Sequence, residues 1–118
     1  MARILSVSYD ATLLRTRRMI LEKAGYEVVS TSDLAEALEK CRSTDYDLVI
    51  MGHSIPRSDK LEIIRALRQH CPAPVLALLR GGEAPLKEAA ESIDPFNPTL
   101  LLSAVERILK SGKTASAG

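Results

Sequence analysis

The chain has 118 residues, of which 46% are hydrophobic and 26% charged, and its formal net charge at pH 7 is +1. This length suits one domain with a core of its own, and the composition argues against disordered, collagen-like and membrane-embedded proteins. Because sixteen basic side chains nearly balance fifteen acidic ones, no bulk field draws the chain to nucleic acid or anionic lipid. We therefore expect neither as a partner.

The amino terminus and the cysteines indicate the compartment. The first ten residues, MARILSVSYD, lead directly into a strand-like run, without the apolar core of a secretory signal or a membrane span. Cys41 and Cys71 are isolated in helical contexts, so we interpret them as small buried hydrophobes, not as a disulfide or a metal site. These features predict a cytoplasmic protein.

The first half of the chain is typical of alternating strands and helices. The apolar run Ile4–Val7 predicts the first strand, and helical spacing from Asp10 to a terminal glycine, Gly25, predicts the first helix. A β-rich segment, YEVVSTS, precedes a second helix that we expect Ser32 to cap. The continuous apolar run YDLVIMG predicts a third strand, buried on both faces of a parallel sheet.

The pattern continues less regularly after the third strand. A third helix is predicted from a cap at Ser58 or Asp59 to about His70, followed by a fourth strand in APVLALL. Beyond it we expect a short helix over Leu86–Ser92. A very short fifth strand is predicted near Ser92–Asp94, and without it the sheet would have four strands.

The last helix carries clear boundary signals. Asn97 can cap it, Pro98 suits its first turn, and Gly112 is expected to stop it. We therefore place one domain over residues 1–110, and a flexible tail or the start of a linker over residues 111–118.

Strands that alternate with helices predict a doubly wound α/β domain, with a parallel sheet of five or four strands covered by helices on both faces. In such folds the functional site lies at the carboxyl ends of the strands. The residues expected there are Ser8, Tyr9, Asp10, Gly52, His53, Leu79, Arg80 and Asp94.

Four fragments, in this order, resemble the receiver domain of bacterial two-component response regulators. They are ILSVSYDATLLR, LEKAGYEVV, DLVIMGHSIP with LEIIRAL, and DPFNPTLLLSAV. The resemblance covers about Arg3–Lys110 and implies the flavodoxin-like topology of that family.

Receiver domains transfer a phosphoryl group to an aspartate, with Mg²⁺ held by acidic residues to offset the negative charge of the transition state. The resemblance places the acidic pair on Ser8 and Tyr9 and the acceptor aspartate on Gly52. It places the hydroxyl residue on Leu79 and the lysine on Asp94. All five positions are degenerate, so we expect no phosphorylation, metal or cofactor at this site.

Asp10, His53 and Arg80 are possible further contacts of the pocket. Asp10 has a sufficient role as a helix N-cap. His53 beside Gly52 could substitute as a phosphoacceptor, but an exposed loop histidine is the better interpretation. For Arg80 and Asp94, an ion pair across the pocket and two solvated side chains are weighed equally.

Two more expectations come from the resemblance. A cis bond is expected between Asp94 and Pro95, with Phe96 keeping the packing that locks it. The family's spacing between Leu79 and Asp94 is several residues longer than here, so an element must be shortened and the usual signalling face altered.

The cluster RTRR, residues 15–18, is interpreted as a solvated helix face, or else as a docking site for an acidic partner.

The leading functional hypothesis is a phosphorylation-independent receiver-like signalling module. It would act by contact with a signalling kinase, an output domain or another regulator, with homodimerisation as an option, and it would not be an enzyme. The alternative is a small-ligand or nucleotide-binding domain that uses the vacated pocket through Ser8, Tyr9 and Arg80. A flavodoxin-like electron carrier ranks lower, because one Phe and no Trp leave little to stack on a flavin.

Overall fold

A computed structural model describes residues 1–94 and 97–117, with side chains through Ser111. Its elements are β1 (Arg3–Val7), α1 (Ala11–Lys23), β2 (Glu27–Thr31), α2 (Leu34–Ser43), β3 (Leu48–Met51), α3 (Arg57–His70), β4 (Val75–Leu78), β5 (Glu91–Ile93) and α4 (Pro98–Ala117). The strands form one parallel sheet in the order β2-β1-β3-β4-β5. The predicted doubly wound fold is confirmed, and the fifth strand is present.

Each face of the sheet buries its own hydrophobic core. Successive residues of a strand point to opposite faces, so Leu5 packs in the core with α2 and α3 while Ile4 packs in the core with α1 and α4. The apolar residues of β3 are fully buried because both faces are covered. This arrangement brings the carboxyl ends of all five strands to one edge.

Three predicted helix boundaries are confirmed. The Asp10 carboxylate accepts from the amides of Thr12 (2.9 Å) and Leu13 (3.1 Å), and so caps α1. Gly25 follows that helix with φ of +99°, a conformation that glycine adopts without a Cβ penalty. Asn97 accepts from two amides in the first turn of α4.

Two predicted caps are wrong. Asp33, not Ser32, caps α2, because its backbone is extended and its carboxylate accepts from an amide of the first turn at 2.8 Å. Helix α3 begins directly after Pro56, which makes no side-chain cap. Ser58 and Asp59 therefore lie inside its first turn, where the ring of the preceding proline has already set the entry of the chain.

The chain after β4 differs most from the prediction. Residues 81–90 form turns and bends, so the helix expected over Leu86–Ser92 is wrong. The end of that segment joins the sheet instead, because the Ala90 amide donates to the Val75 carbonyl at 2.8 Å and β5 begins at Glu91. The fold has four helices around its five strands, within the part of the chain that the structure describes.

Helix α4 continues through Gly112 to Ala117, so the predicted stop at Gly112 is wrong. A glycine inside a helix costs only about 1 kcal/mol relative to alanine and does not end it by itself. The division into a domain over 1–110 and a tail over 111–118 stays a prediction. Over residues 1–94 and 97–117, no helix is both long and apolar enough to cross a bilayer.

Candidate functional site at the carboxyl edge of the sheet

Gly52 is buried at the end of β3, and the space beside its Cα is occupied by side chains from two other elements. A Cβ atom placed on Gly52 would lie 2.7 Å from Arg17 Nη1 and 2.9 Å from both Cβ and Oγ of Ser8. Real Cβ atoms do not approach heavy atoms this closely. Any other residue at position 52 would therefore force Arg17 and Ser8 to shift, because Arg17 Nη1 lies beside the point where its side chain would begin.

Arg17 is a buried cation, with 5% of its surface exposed, so the predicted solvated face of residues 15–18 is wrong at this position. Burial lowers the Arg17 pKa and the nearby Asp10 carboxylate opposes that shift, but a guanidinium stays charged in proteins. Its Nη1 has no hydrogen-bond partner among the described residues. The helical spacing of the sequence could have revealed the burial of Arg17, since position 17 shares a face with Leu14 and Leu21.

His53 is half-buried and faces Arg17, with 3.1 Å between its Nδ1 and Arg17 Nη2. Burial lowers the His53 pKa, and the positive charges of Arg17, Lys60 and Arg80 lower it further. A neutral imidazole can accept from the guanidinium through Nδ1. The exposed loop histidine that the sequence predicted is thus an internal contact of the domain.

Ser8 and Tyr9, the predicted positions of the acidic pair, form internal hydrogen bonds. Ser8 is fully buried, and its Oγ lies 2.7 Å from Ser54 Oγ. The backbone amide of Tyr9 donates to the same Ser54 oxygen at 3.1 Å, and its phenol donates to Asp59 at 3.0 Å. Ser54, which the sequence analysis did not single out, therefore joins the ends of β1 and β3.

Arg80 is exposed and contacts the loop after β3. Its Nε donates to the His53 carbonyl and its Nη2 to the Ser54 carbonyl, both at 2.8 Å. It forms no ion pair with Asp94 among the pairs of the described residues. The short connection to β5 leaves Arg80 directed toward the loop after β3, while Asp94 is exposed past β5.

Pro95 and Phe96 lie outside the described residues, so the cis bond before Pro95 and the packing expected of Phe96 stay predictions. Leu79, the predicted position of the hydroxyl residue, is half-buried and extends the sheet by donating its amide to the Ile93 carbonyl at 2.9 Å.

A buried ion pair beneath this edge was missed by the sequence analysis. The Lys60 side chain is fully buried, and its Nζ donates to the Leu78 carbonyl and to Glu83 Oε1, both at 2.8 Å. Glu83 also accepts from the Arg80 amide at 2.8 Å and lies 3.5 Å from an Arg57 nitrogen. This cluster fastens the turn after β4 to α3.

The side chains at this edge do not fit Mg²⁺. A hard cation prefers several carboxylate oxygens, whereas positions 8, 9 and 52 offer a hydroxyl, a phenol bonded to Asp59, and no side chain. Asp10 uses its carboxylate to cap α1, and Arg17 already supplies positive charge beside Gly52. Across the described ranges no three His, Cys, Asp or Glu side chains are grouped as metal ligands.

The alternative of a ligand pocket at this edge has no observation in its support, because the side chains proposed as contacts are bonded within the domain. Two cavities among the described residues lie elsewhere. One of about 830 Å³ opens near Gly25, Tyr46 and Pro74, at the other end of the sheet. The second, of about 400 Å³, lies between α3 and the turn that precedes β5.

Comparison with known proteins assigns the fold to a family. A family model for the response regulator receiver domain matches residues 4–96. The transcriptional regulatory protein ResD of Bacillus subtilis (strain 168) is 27% identical over 121 residues, which cover 97% of this chain and 50% of ResD. The chain thus spans about half the length of the curated relatives it matches.

Solved structures agree. A CheY-like receiver domain protein from Methanospirillum hungatei JF-1 has a TM-score of 0.80 and 25% identity, with 98% of each chain covered. A chain from the crystal structure of histidine kinase ThkA in complex with response regulator protein TrrA has a TM-score of 0.80 and 28% identity, with 92% of this chain and 99% of that chain covered. The chain belongs to the response regulator receiver domain family of two-component systems.

Proposed function

We propose that this receiver domain works without phosphoryl transfer and signals by protein contact alone. The observation that carries the proposal is the position of the Arg17 guanidinium, 2.7 Å from the place that a Cβ of residue 52 would occupy. The space from which an acceptor side chain would extend is filled by a buried cation. The protein is then a binding module and not an enzyme.

The chemistry of the neighbouring groups supports the same proposal. Phosphoryl transfer to a protein needs a nucleophile and positive charge arranged around the incoming oxygens. Gly52 supplies no nucleophile, and the Ser8 hydroxyl is fully buried against Ser54. His53 directs Nδ1 at a guanidinium, which withdraws that nitrogen from attack on phosphorus.

We further propose that the partner is a protein of a two-component system, namely a signalling kinase, an output domain or another regulator, in the cytoplasm. A second copy of the domain is an additional candidate. The similarity to a regulator–kinase structure supports a kinase as the first partner to test. A tagged domain used for a pull-down from the native cell, followed by protection mapping, would identify the partner and the face that it covers.

The phosphorylation test is direct. Incubate the wild-type domain with acetyl phosphate and Mg²⁺ and measure its intact mass beside a receiver domain that has the acceptor aspartate. We expect no gain in mass, and Gly52→Asp alone should also gain none, because the metal ligands, hydroxyl residue and lysine are absent and such groups act together. A stoichiometric gain of one phosphoryl group by the wild type would disprove the proposal.

A further inference from the structure

The loop after β3, residues 52–56, is held by side chains from two elements on one side. From α1, Arg17 Nη2 lies 3.1 Å from His53 Nδ1. From the end of β1, the Ser8 hydroxyl lies 2.7 Å from the Ser54 hydroxyl, and the Tyr9 amide donates to that same oxygen at 3.1 Å. The loop is therefore fixed along the side that faces β1 and α1.

On its other side the loop is bonded to the turn after β4, residues 79–84. Arg80 donates through two nitrogens to the carbonyls of His53 and Ser54, and through its backbone amide to Glu83 Oε1. Lys60 donates to the same Glu83 oxygen. Hydrogen bonds to ionised groups are roughly twice as strong as neutral ones. A shift of the loop by a bond length would therefore break hydrogen bonds both to the turn after β4 and to the side that faces β1 and α1.

Arg17 supports this arrangement from beneath. Its side chain is 5% exposed and Nη1 has no partner, although an unpaired buried polar group costs free energy. Gly52 provides the room for the guanidinium, and the contact with His53 directs it. Loss of the guanidinium would leave a cavity directly under the first residues of the loop.

We infer that Arg17 and Arg80 are positioning residues that hold the loop after β3 and the turn after β4 together as one fixed unit. The inference rests on the proposed function, because a partner that binds without a phosphoryl signal needs a surface already in its binding conformation. The edge would then be a permanent structure, held by the buried guanidinium of Arg17 and the exposed guanidinium of Arg80 without a phosphoryl group.

Native-state amide hydrogen exchange tests the coupling. Arg17→Met keeps an apolar stem and removes the charge and the donors. We expect it to speed exchange about tenfold or more at the amides of Ile55, Arg80 and Glu83, while sheet amides such as that of Val49 change far less. These three amides are bonded within the two segments.

A matched control lies one residue away. Arg18 is exposed on the same helix and pairs only locally with Glu22 at 3.1 Å, as an i,i+4 pair. Arg18→Met should leave exchange in both segments unchanged.

Arg80→Met provides a second, independent variant, because the exposed Arg80 side chain is not part of either core. It should speed exchange at Ile55, on the far side of the hydrogen bonds that it breaks. If Arg17→Met speeds Ile55 but not Arg80 and Glu83, or speeds all amides of the sheet equally, the two segments are not one unit and the inference fails. If Arg17→Met unfolds the domain, Arg80→Met decides the question, and unchanged exchange at Ile55 overturns the inference.

The two proposals can fail separately. Exchange is measured with no phosphodonor present, so its pattern reports only on the contacts of Arg17 and Arg80. Phosphoryl uptake by the wild type would defeat the proposed function whatever the exchange pattern, and an uncoupled pattern would defeat this inference while leaving phosphorylation independence intact.

Discussion

Glu83→Ala is expected to destabilise the domain by about 3–5 kcal/mol, because it leaves a buried ammonium group without its counterion. Lys60 Nζ has two acceptors, the Glu83 carboxylate and the Leu78 carbonyl, each at 2.8 Å, and no part of the Lys60 side chain is exposed. After the substitution one neutral oxygen would remain for a full positive charge.

The other contacts of Glu83 add little to this estimate. Arg57 lies 3.5 Å from the carboxylate, and 43% of its side chain is exposed, so water can replace that pairing. The Arg80 amide also loses its acceptor, but the turn that contains it is exposed. The dominant cost is therefore the stranded charge of Lys60.

Urea unfolding measures the effect. With an m-value of about 2 kcal/mol/M, a loss of 3–5 kcal/mol lowers the midpoint by roughly 2 M. Glu91→Ala is the control, because water reaches both side chains of the Glu91–Arg107 pair, which are 27% and 57% exposed, and its loss should cost only about 0–1 kcal/mol. Lys60→Met combined with Glu83→Leu removes both charges and should recover most of the loss.

The pH dependence has a definite sign. Burial opposes ionisation of the Glu83 carboxyl, but the hydrogen bonds from Lys60 and Arg80 and the charges of Lys60 and Arg57 bring its pKa below the ordinary 4.5. A lowered carboxyl pKa gives stability that is present above the unfolded-state pKa and is lost as pH falls through the folded-state pKa. The gap between wild type and Glu83→Ala should therefore narrow below pH 4.5. A cost under about 1 kcal/mol at pH 7, with an unchanged m-value, would refute the reasoning.

Three further predictions concern two groups at the carboxyl edge, Gly52 and His53, and one buried thiol, Cys41. Gly52→Ala should cost about 1–3 kcal/mol in urea unfolding, since the new Cβ would lie 2.7 Å from Arg17 Nη1, and Arg17→Ala in the same chain should recover part of the loss. Burial and neighbouring positive charge lower the His53 pKa from 6.5. Because His53 is protonated at a higher pH in the unfolded chain than in the folded one, stability should fall as pH drops below 6.5. His53→Gln should flatten this part of the plot of stability against pH. Burial and the hydrogen bond with Cys71 raise the Cys41 pKa to about 12. Iodoacetamide should therefore alkylate Cys41 only after unfolding in urea, as measured by the gain in protein mass.

Each of these predictions has a contrary outcome. An unchanged midpoint in Gly52→Ala would mean that Arg17 can move aside without cost. If the stability of His53→Gln falls below pH 6.5 as steeply as that of the wild type, the histidine is not the cause of the pH dependence. Alkylation of native Cys41 at the unfolded rate would show that its thiol is open to solvent.

The fold followed from the sequence because its signals are local. Apolar runs of strand length and helical spacing alternate along the chain, and side chains such as Asp10 and Asn97 cap the helix that each precedes. The parallel order then places Gly52 and Arg80 at one edge whatever their own chemistry. That is why positions could be predicted there although their contacts could not.

The contacts depend on residues that composition assigns to the surface. Arginine and lysine are almost never fully buried, so composition predicts exposed side chains for Arg17 and Lys60, although both lie on apolar helix stripes. Glu83, the partner of Lys60, is 23 residues away in a segment without periodicity. No local rule connects two such positions, because their pairing exists only once α3 has packed against the sheet.

The guanidinium beside Gly52 also constrains how this gene can change. A single base substitution turns any glycine codon into a codon for aspartate or glutamate, so an acidic residue at position 52 is always one step away. That step would force a new Cβ against Arg17 and Ser8 before any chemistry was gained. The less costly route runs in the opposite order, with position 17 changing first, since natural proteins lie only a little above the stability that their function needs.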